Sequence, residues 1–189
     1  MIPSIESYME NEISEILRYS RGWEKIGIGT CICRVEKMMG IRKLHRFSLK
    51  ISDEIHQNPE KILKGSNFLG VILSGSPIMC LDIENEGKSI EEFHRILDKN
   101  SVKMSDLFGE TTLNGGIHLY FRIPIDKKQR NQYKQVNKNV HFDLLFNGKS
   151  FTVPSFFNEK KYNLFDRSIF DLKSIEEIPE FPEFLSFMI

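Results

Sequence analysis

The sequence predicts an α+β protein with a mainly antiparallel sheet. An amphipathic helix opens the chain, strand-like runs crowd its middle, and turn signals separate those runs by a few residues only. In the opening stretch, Ser4 to Arg21, Ile5, Tyr8, Met9, Ile13, Ile16 and Leu17 recur at helical spacing after a Pro-Ser start, and Gly22 is expected to end the helix. Trp23 to Cys33 alternates in part and carries Ile and Val, which predicts a strand. Arg34 to Lys50 is strongly basic, with Arg34, Lys37, Arg42, Lys43, His45, Arg46 and Lys50 set against Glu36. Ser52-Asp53-Glu54 opens a short helical piece to about Lys64, interrupted by Pro59.

The middle is strand-rich. Phe68 to Leu73 is an apolar run of strand length, Ser74-Gly75-Ser76-Pro77 is a turn by composition, and Ile78 to Glu84 is the next strand. Ser89 to Leu97 is helical, with Ile90, Phe93, Ile96 and Leu97 on one face. Thr111-Thr112-Leu113, Asn114-Gly115-Gly116 and Ile117 to Ile123 read as strand, turn, strand. Asp126 to Lys138 is polar and lysine-rich and predicts a mobile loop. Val140 to Phe146 and Ser150 to Val153 are expected to form a hairpin across Asn147-Gly148, a strong two-residue turn signal. The tail, Leu172 to Ile189, carries Pro179 and Pro182 and then a short apolar helix.

Bulk properties exclude several classes. A length of 189 residues suits one domain, or two small modules packed as one unit. No apolar run approaches the roughly 20 residues that span a bilayer. Met1 to Glu6 shows neither a basic nor an apolar leader region, so the expected place is the cytoplasm, with no membrane partner. The 26 basic and 26 acidic residues balance, so any grip on nucleic acid must be local. Three cysteines without a leader argue against a disulfide framework. Cys31 and Cys33 are too closely spaced for a zinc pair and read, with Cys80, as small buried residues.

Asp82-Ile83-Glu84 is the most informative local feature. Alternate residues on a strand share a face, so Asp82 and Glu84 project together, about 7 Å apart. Two such carboxylates repel unless a cation lies between them, and hard oxygen ligands suit Mg²⁺ or Mn²⁺. Two solvated acids where a strand leaves the core would give the same pattern. Asp143 lies among large apolar residues in Val140-His141-Phe142-Asp143-Leu144-Leu145-Phe146, where an isolated charge is costly to bury. A third metal ligand explains it, as does an exposed acid on a half-buried strand. Asn114-Gly115-Gly116 permits close approach of backbone N–H groups to a phosphate. His118 follows on the more polar face of its strand, where it could reach a ligand together with Arg122. A plain hairpin turn before a surface histidine fits the same residues.

Taken in order, these pieces resemble the primase-polymerase catalytic domain of the archaeo-eukaryotic primase superfamily. The resemblance runs from Gly22-Trp23 to the tail. It is carried by Asn67-Phe68-Leu69-Gly70-Val71 with the Ser74-Gly75 turn, by the apolar strand ending in Asp82-Ile83-Glu84, and by Asn114-Gly115-Gly116-Ile117-His118-Leu119-Tyr120-Phe121-Arg122, with Asn114 where the family usually has Ser. Asp143, Phe151-Thr152-Val153-Pro154-Ser155, Tyr162 and Ile178-Pro179-Glu180 complete it.

The resemblance implies one catalytic domain over residues 1–189. An N-terminal α/β module (about 1–66) would stand beside an RRM-like core (67–165), followed by a tail (166–189). It implies that Asp82, Glu84 and Asp143 hold two Mg²⁺ or Mn²⁺ ions and that His118 contacts the triphosphate of an incoming dNTP or NTP, with Arg122, Asn114 and Gly116 beside it. The family's Lys-x-Pro motif has Lys43-Leu44-His45 in its place here, without the proline, and Lys43 is carried over on that basis. The implied activity is DNA primase or DNA polymerase, adding nucleotides to a 3′-hydroxyl on a single-stranded DNA template. Template and primer strand would lie along the basic stretch and Lys127, Lys128, Arg130, Lys134 and Lys138. Many relatives of this kind carry a helicase or helical accessory domain after this one, and a chain ending at Ile189 is compatible with a cut from a longer protein. A metal-dependent nuclease would also use clustered carboxylates but needs no triphosphate site. A non-catalytic single-strand-binding module would leave the three acids without a purpose. Trp23, Phe47 and Tyr120 are candidate base-stacking residues, although core packing is the commoner use of such side chains.

Overall fold

A computed structural model describes residues 5–39, 42–51, 55, 57, 68–127, 130–137, 140–157 and 160–188. The side chains of 5–12, 34–39, 42–49, 134–137, 156–157, 160–161 and 186–188 are outside the description. The fold is α+β, and every pair of named strands is antiparallel. The strands form two sheets.

Helix α1 (Ile5–Lys25) runs on past the expected stop at Gly22, and Trp23 belongs to the helix rather than to a strand. Two contacts explain this. Trp23 is buried one turn beyond Ser20 and two beyond Ile16, so continuing the helix extends one apolar stripe. Gly22 also sits where a Cβ would lie 2.9 Å from Ile169, so its small size serves close packing. The chain turns instead at Gly27, with φ of +84°.

Strands β1 (Thr30–Met39) and β2 (Arg42–Lys50) form a hairpin through the basic stretch. Strand β3 (Phe68–Ile72) pairs with β1. Strand β4 (Ile78–Ile83) starts the second sheet and leads to helix α2 (Ser89–Lys99). Strands β5 (Gly109–Thr111) and β6 (Ile117–Arg122) are the predicted strand-turn-strand unit. Strands β7 (Gln132–Asn137) and β8 (Val140–Leu145) follow, then β9 (Lys149–Phe157), β10 (Lys160–Lys161) and β11 (Asn163–Leu164). The first sheet has the order β10-β9-β3-β1-β2 and the second β11-β5-β6-β4-β8-β7. The tail crosses as short 3₁₀ turns, the last at Glu183–Met188.

Two expectations are corrected here. Gln132–Asn137, expected within a mobile loop, is a strand paired with β8 from Gln132↔Leu144 to Asn137↔Val140. Its polar residues suit an edge strand, where only one side of the backbone is covered. And β8 and β9 are not a hairpin. The turn at Asn147-Gly148 is real, with Gly148 at φ +83°, but β8 pairs with β4 and β9 pairs with β3, so the chain passes there from one sheet to the other.

The second sheet has two different faces. Met79, Leu81, Ile83, Leu119, Phe121, Phe142 and Leu144 face α2 and are buried with Phe93, Ile96 and Leu97. The alternate residues face the first sheet and α1, where Ile78, Cys80 and Tyr120 pack with Trp23, Ile32, Leu69 and Val71. Cys31, Cys33 and Cys80 are buried, as expected. No described helix is long and apolar enough to cross a membrane.

Candidate functional site

The site is a single cross-strand row on the second sheet. Asp82 on β4 is paired with His118 on β6 and with Asp143 on β8; His118 is paired with Glu110 on β5; Asp143 is paired with Tyr133 on β7. Directly paired residues on antiparallel strands project on the same side. The row therefore reads Glu110, His118, Asp82, Asp143, Tyr133 across five strands, on the face that looks toward the first sheet.

Asp82 and Asp143 meet as like charges. The Asp143 carboxyl is pushed up to about 6, first by burial and then by the charge of Asp82, with His141 opposing. Burial and a facing carboxylate both disfavour the ionised form. Glu84 follows the end of β4 and lines a small cleft with Asp82, Thr112, Leu113, Asn114, His118 and Tyr162. The acids are hard oxygen donors at one strand end, which fits Mg²⁺ or Mn²⁺. Among the described residues, no three His, Cys, Asp or Glu side chains are gathered into a ready-made metal cage. The fit thus rests on the Asp82–Asp143 pair, with Glu84 beside it.

His118 is buried, its side chain 6% exposed, and both ring nitrogens have protein partners. Nε2 lies 3.3 Å from Asp82 Oδ1, and Nδ1 lies 2.8 Å from the Phe151 carbonyl on β9 and 3.4 Å from Glu110 Oε1. Since a carbonyl oxygen only accepts, the Nδ1 contact is a ring N–H donating to Phe151. Burial disfavours the charged ring, but the flanking Asp82 and Glu110 carboxylates outweigh it and hold the imidazole pKa up at about 10. The ring also packs on Tyr162, with centroids 5.7 Å apart.

Glu110, 1% exposed, is the residue that sequence reasoning missed. Oε2 accepts from the Thr152 hydroxyl at 2.8 Å and from the Val153 backbone N–H at 2.9 Å, and Oε1 accepts from the Tyr120 hydroxyl at 3.1 Å. Its carboxylate therefore fastens β5 and β6 of one sheet to β9 of the other. Gly109 makes the approach possible, because a Cβ there would collide with the His118 carbonyl. The signal for Glu110 was present: a turn that places Thr111 opposite Ile117 places Glu110 opposite His118. Tyr133, 74% exposed at the end of the row, was missed with the strand that carries it.

The other expected residues fall out as follows. Asn114 is exposed at the rim of the cleft, and its carbonyl accepts from Asn85 Nδ2 at 2.9 Å. The glycine turn is closed on Thr112: Gly115 N–H donates to the Thr112 carbonyl, and Gly116 N–H donates to Thr112 Oγ1 at 3.1 Å. Both donors hold the turn in shape. Gly116 also leaves no room for a side chain, since a Cβ would stand 2.7 Å from the Ile83 carbonyl.

Arg122 is not brought to the site. It is paired with Ile78, four residues along β6 from His118, or about 13 Å away. Its guanidinium holds Glu180 at 2.7 Å, and its backbone bonds Pro179 and Phe181, so it anchors the tail. The shared strand face is real, but distance along the strand separates the two residues. A larger groove at that end, lined by Pro77, Arg122, Ile123, Phe181 and Pro182, is equally remote from the acids. Trp23 and Tyr120 are each 1% exposed and serve the core. The side chains of Lys43, His45 and Phe47, and those of Lys128, Lys134 and Lys138, lie outside the described residues; Lys127 and Arg130 are exposed.

Against known families, the model for bifunctional DNA primase/polymerase, N-terminal, matches residues 53–183, more than half of the chain. The comparison with curated proteins finds no match.

Proposed function

The chain belongs to the bifunctional DNA primase/polymerase N-terminal family, and from that premise we propose that it is a template-directed nucleotidyltransferase whose reacting centre is the Asp82–Asp143 pair with Glu84. The observation that carries the reading is the in-register pairing of Asp82 with Asp143 beside His118, with the Asp143 carboxyl raised to about 6. Facing like charges are destabilising in themselves. The pair has a use if cations are held there.

Asp82, Glu84 and Asp143 would hold two Mg²⁺ or Mn²⁺ ions. When bound, these supply a lowered pKa for the attacking 3′-hydroxyl and charge stabilisation at the phosphate under attack. The residues of the chain do the rest by positioning. The cleft is small, about 30 Å³, far below the usual volume of a ligand site, so only part of a ligand can sit inside it. It suits the phosphate chain of a dNTP or NTP, with sugar and base extending beyond. His118 forms one wall of the cleft beside Asp82 and Glu84, where a triphosphate would meet its ring. Asn114 at the rim offers an amide to the same phosphates. Tyr133 at the open sheet edge offers an aromatic face on which a base of the template or primer strand can stack. Lys127 and Arg130 lie on the connection leading to that strand and add local positive charge for single-stranded DNA.

The test is incorporation of labelled dNTP or NTP on a single-stranded template with Mn²⁺ or Mg²⁺, with and without primer, by wild type and by an Asp82→Ala, Glu84→Ala double variant. Product from wild type, and at least about 10³-fold less from the variant, is expected from removal of the charge-stabilising centre. Product without a primer would make it a primase. Template cleavage without incorporation would replace the reading with that of a nuclease.

A further inference from the structure

We propose that Glu110 is a positioning residue of the site: its buried carboxylate, gripped by β9, fixes the His118 ring in the orientation that presents Nε2 to Asp82. The role given to the site rests on the reading above; the geometry does not.

A carboxylate that is 1% exposed is expensive unless every lone pair is used. Glu110 meets that requirement with donors from three separate places: Tyr120 on β6, and Thr152 and Val153 on β9. An apolar residue could fill the same inter-sheet space, but the Thr152 hydroxyl and the Val153 N–H would lose their acceptor. What an apolar residue cannot do is accept from His118. Glu110 Oε1 stands 3.4 Å from Nδ1 on the same side as the Phe151 carbonyl. Thr152 and Val153, which Glu110 holds, are the two residues that follow Phe151 in the chain. One carboxylate thus sets the position of the carbonyl that takes the Nδ1 proton and adds a second acceptor to it. With Nδ1 tied, Tyr162 packed on the ring at 5.7 Å limits its remaining rotation. Nε2 is left facing Asp82 at 3.3 Å. Orientation of a functional imidazole through its far nitrogen is the usual device for fixing which ring nitrogen acts.

The experiment compares Glu110→Gln, His118→Gln, the double variant and Thr152→Val. Gln keeps one carbonyl oxygen for Thr152 and Val153, but turns an amide N–H₂ toward Nδ1–H, a donor facing a donor. If Glu110 acts through His118, each single variant lowers incorporation kcat/KM by about tenfold or more, and the double variant falls no further than His118→Gln alone. A double variant whose loss is the product of the two single losses would overturn the proposal.

The imidazole ¹H–¹⁵N spectrum tests the geometry without any activity. The hydrogen-bonded Nδ1–H signal of His118 is expected in wild type, shifted or lost in Glu110→Gln, and shifted less in Thr152→Val, which removes one grip and leaves the carboxylate. An unchanged His118 signal in folded Glu110→Gln would overturn the proposal whatever the activity. If wild type incorporates no nucleotide, the proposed function fails, while the spectrum still decides the role of Glu110.

Discussion

The two faces of the second sheet are built from the same strands and do opposite things. Toward α2, Leu81, Leu119, Phe142 and Leu144 are fully buried and apolar. Toward the first sheet, their immediate neighbours Asp82, His118 and Asp143 make a charged row. Because a strand alternates, Asp82, His118 and Asp143 are each braced by apolar neighbours on the opposite face. The rigidity the site needs comes from one face, and the destabilising charge is confined to the other. The lesson is that the acids are positioned by residues that never touch a ligand.

That contrast can be broken from the apolar side first. Phe142 is fully buried and packs edge-on against Phe93, with ring centroids 6.3 Å apart. Phe142→Ala is expected to lower unfolding stability by about 3–5 kcal/mol, measured by urea titration. A loss under about 1 kcal/mol would mean that the apolar face does not brace the row.

From the charged side the sign reverses. Asp143 has its carboxyl at about 6 in the folded protein, against an ordinary 3.8. A raised acid binds its proton more tightly when folded, so the native state loses stability as pH rises through that window. Asp143→Asn is therefore expected to melt at a higher temperature than wild type at pH 7–8, with the gap closing as pH falls below about 4. Mn²⁺ or Mg²⁺ should raise the Tm of wild type more than that of the variant. Equal Tm values at pH 7, or a gap that widens on acidification, would show that the pair is not repulsive.

The smallest effect is the one that sharpens the boundary of the site. Arg122→Ala removes a half-exposed pairing with Glu180 and is expected to change the nucleotide KM by less than about twofold. A tenfold rise in KM would bring Arg122 back to the nucleotide.

Much of this was legible in the residues. The Asp82–Glu84 alternation, the apolar strand before it and the β5–turn–β6 unit follow from period and turn chemistry alone. The pairing of Asp82 with Asp143 does not, because it joins strands with α2 and three further strands between them in the chain. Gly22 misled because packing against Ile169 outweighed a local stop signal. Asn147-Gly148 misled because a tight turn shows only that the chain reverses, and β9 found a better partner in β3. Arg122 misled because alternation gives the face but carries no information about distance along the strand.

The fastening of Glu110 has a consequence for how this sequence can drift. Substitution of Glu110 alone would strand the Thr152 hydroxyl and the Val153 N–H as buried donors without that acceptor, each a penalty of about 1–3 kcal/mol. The residues at 110 and 152 are thus expected to be inherited as a linked pair, with glutamate and threonine exchanged together or not at all, even though they lie on strands of different sheets.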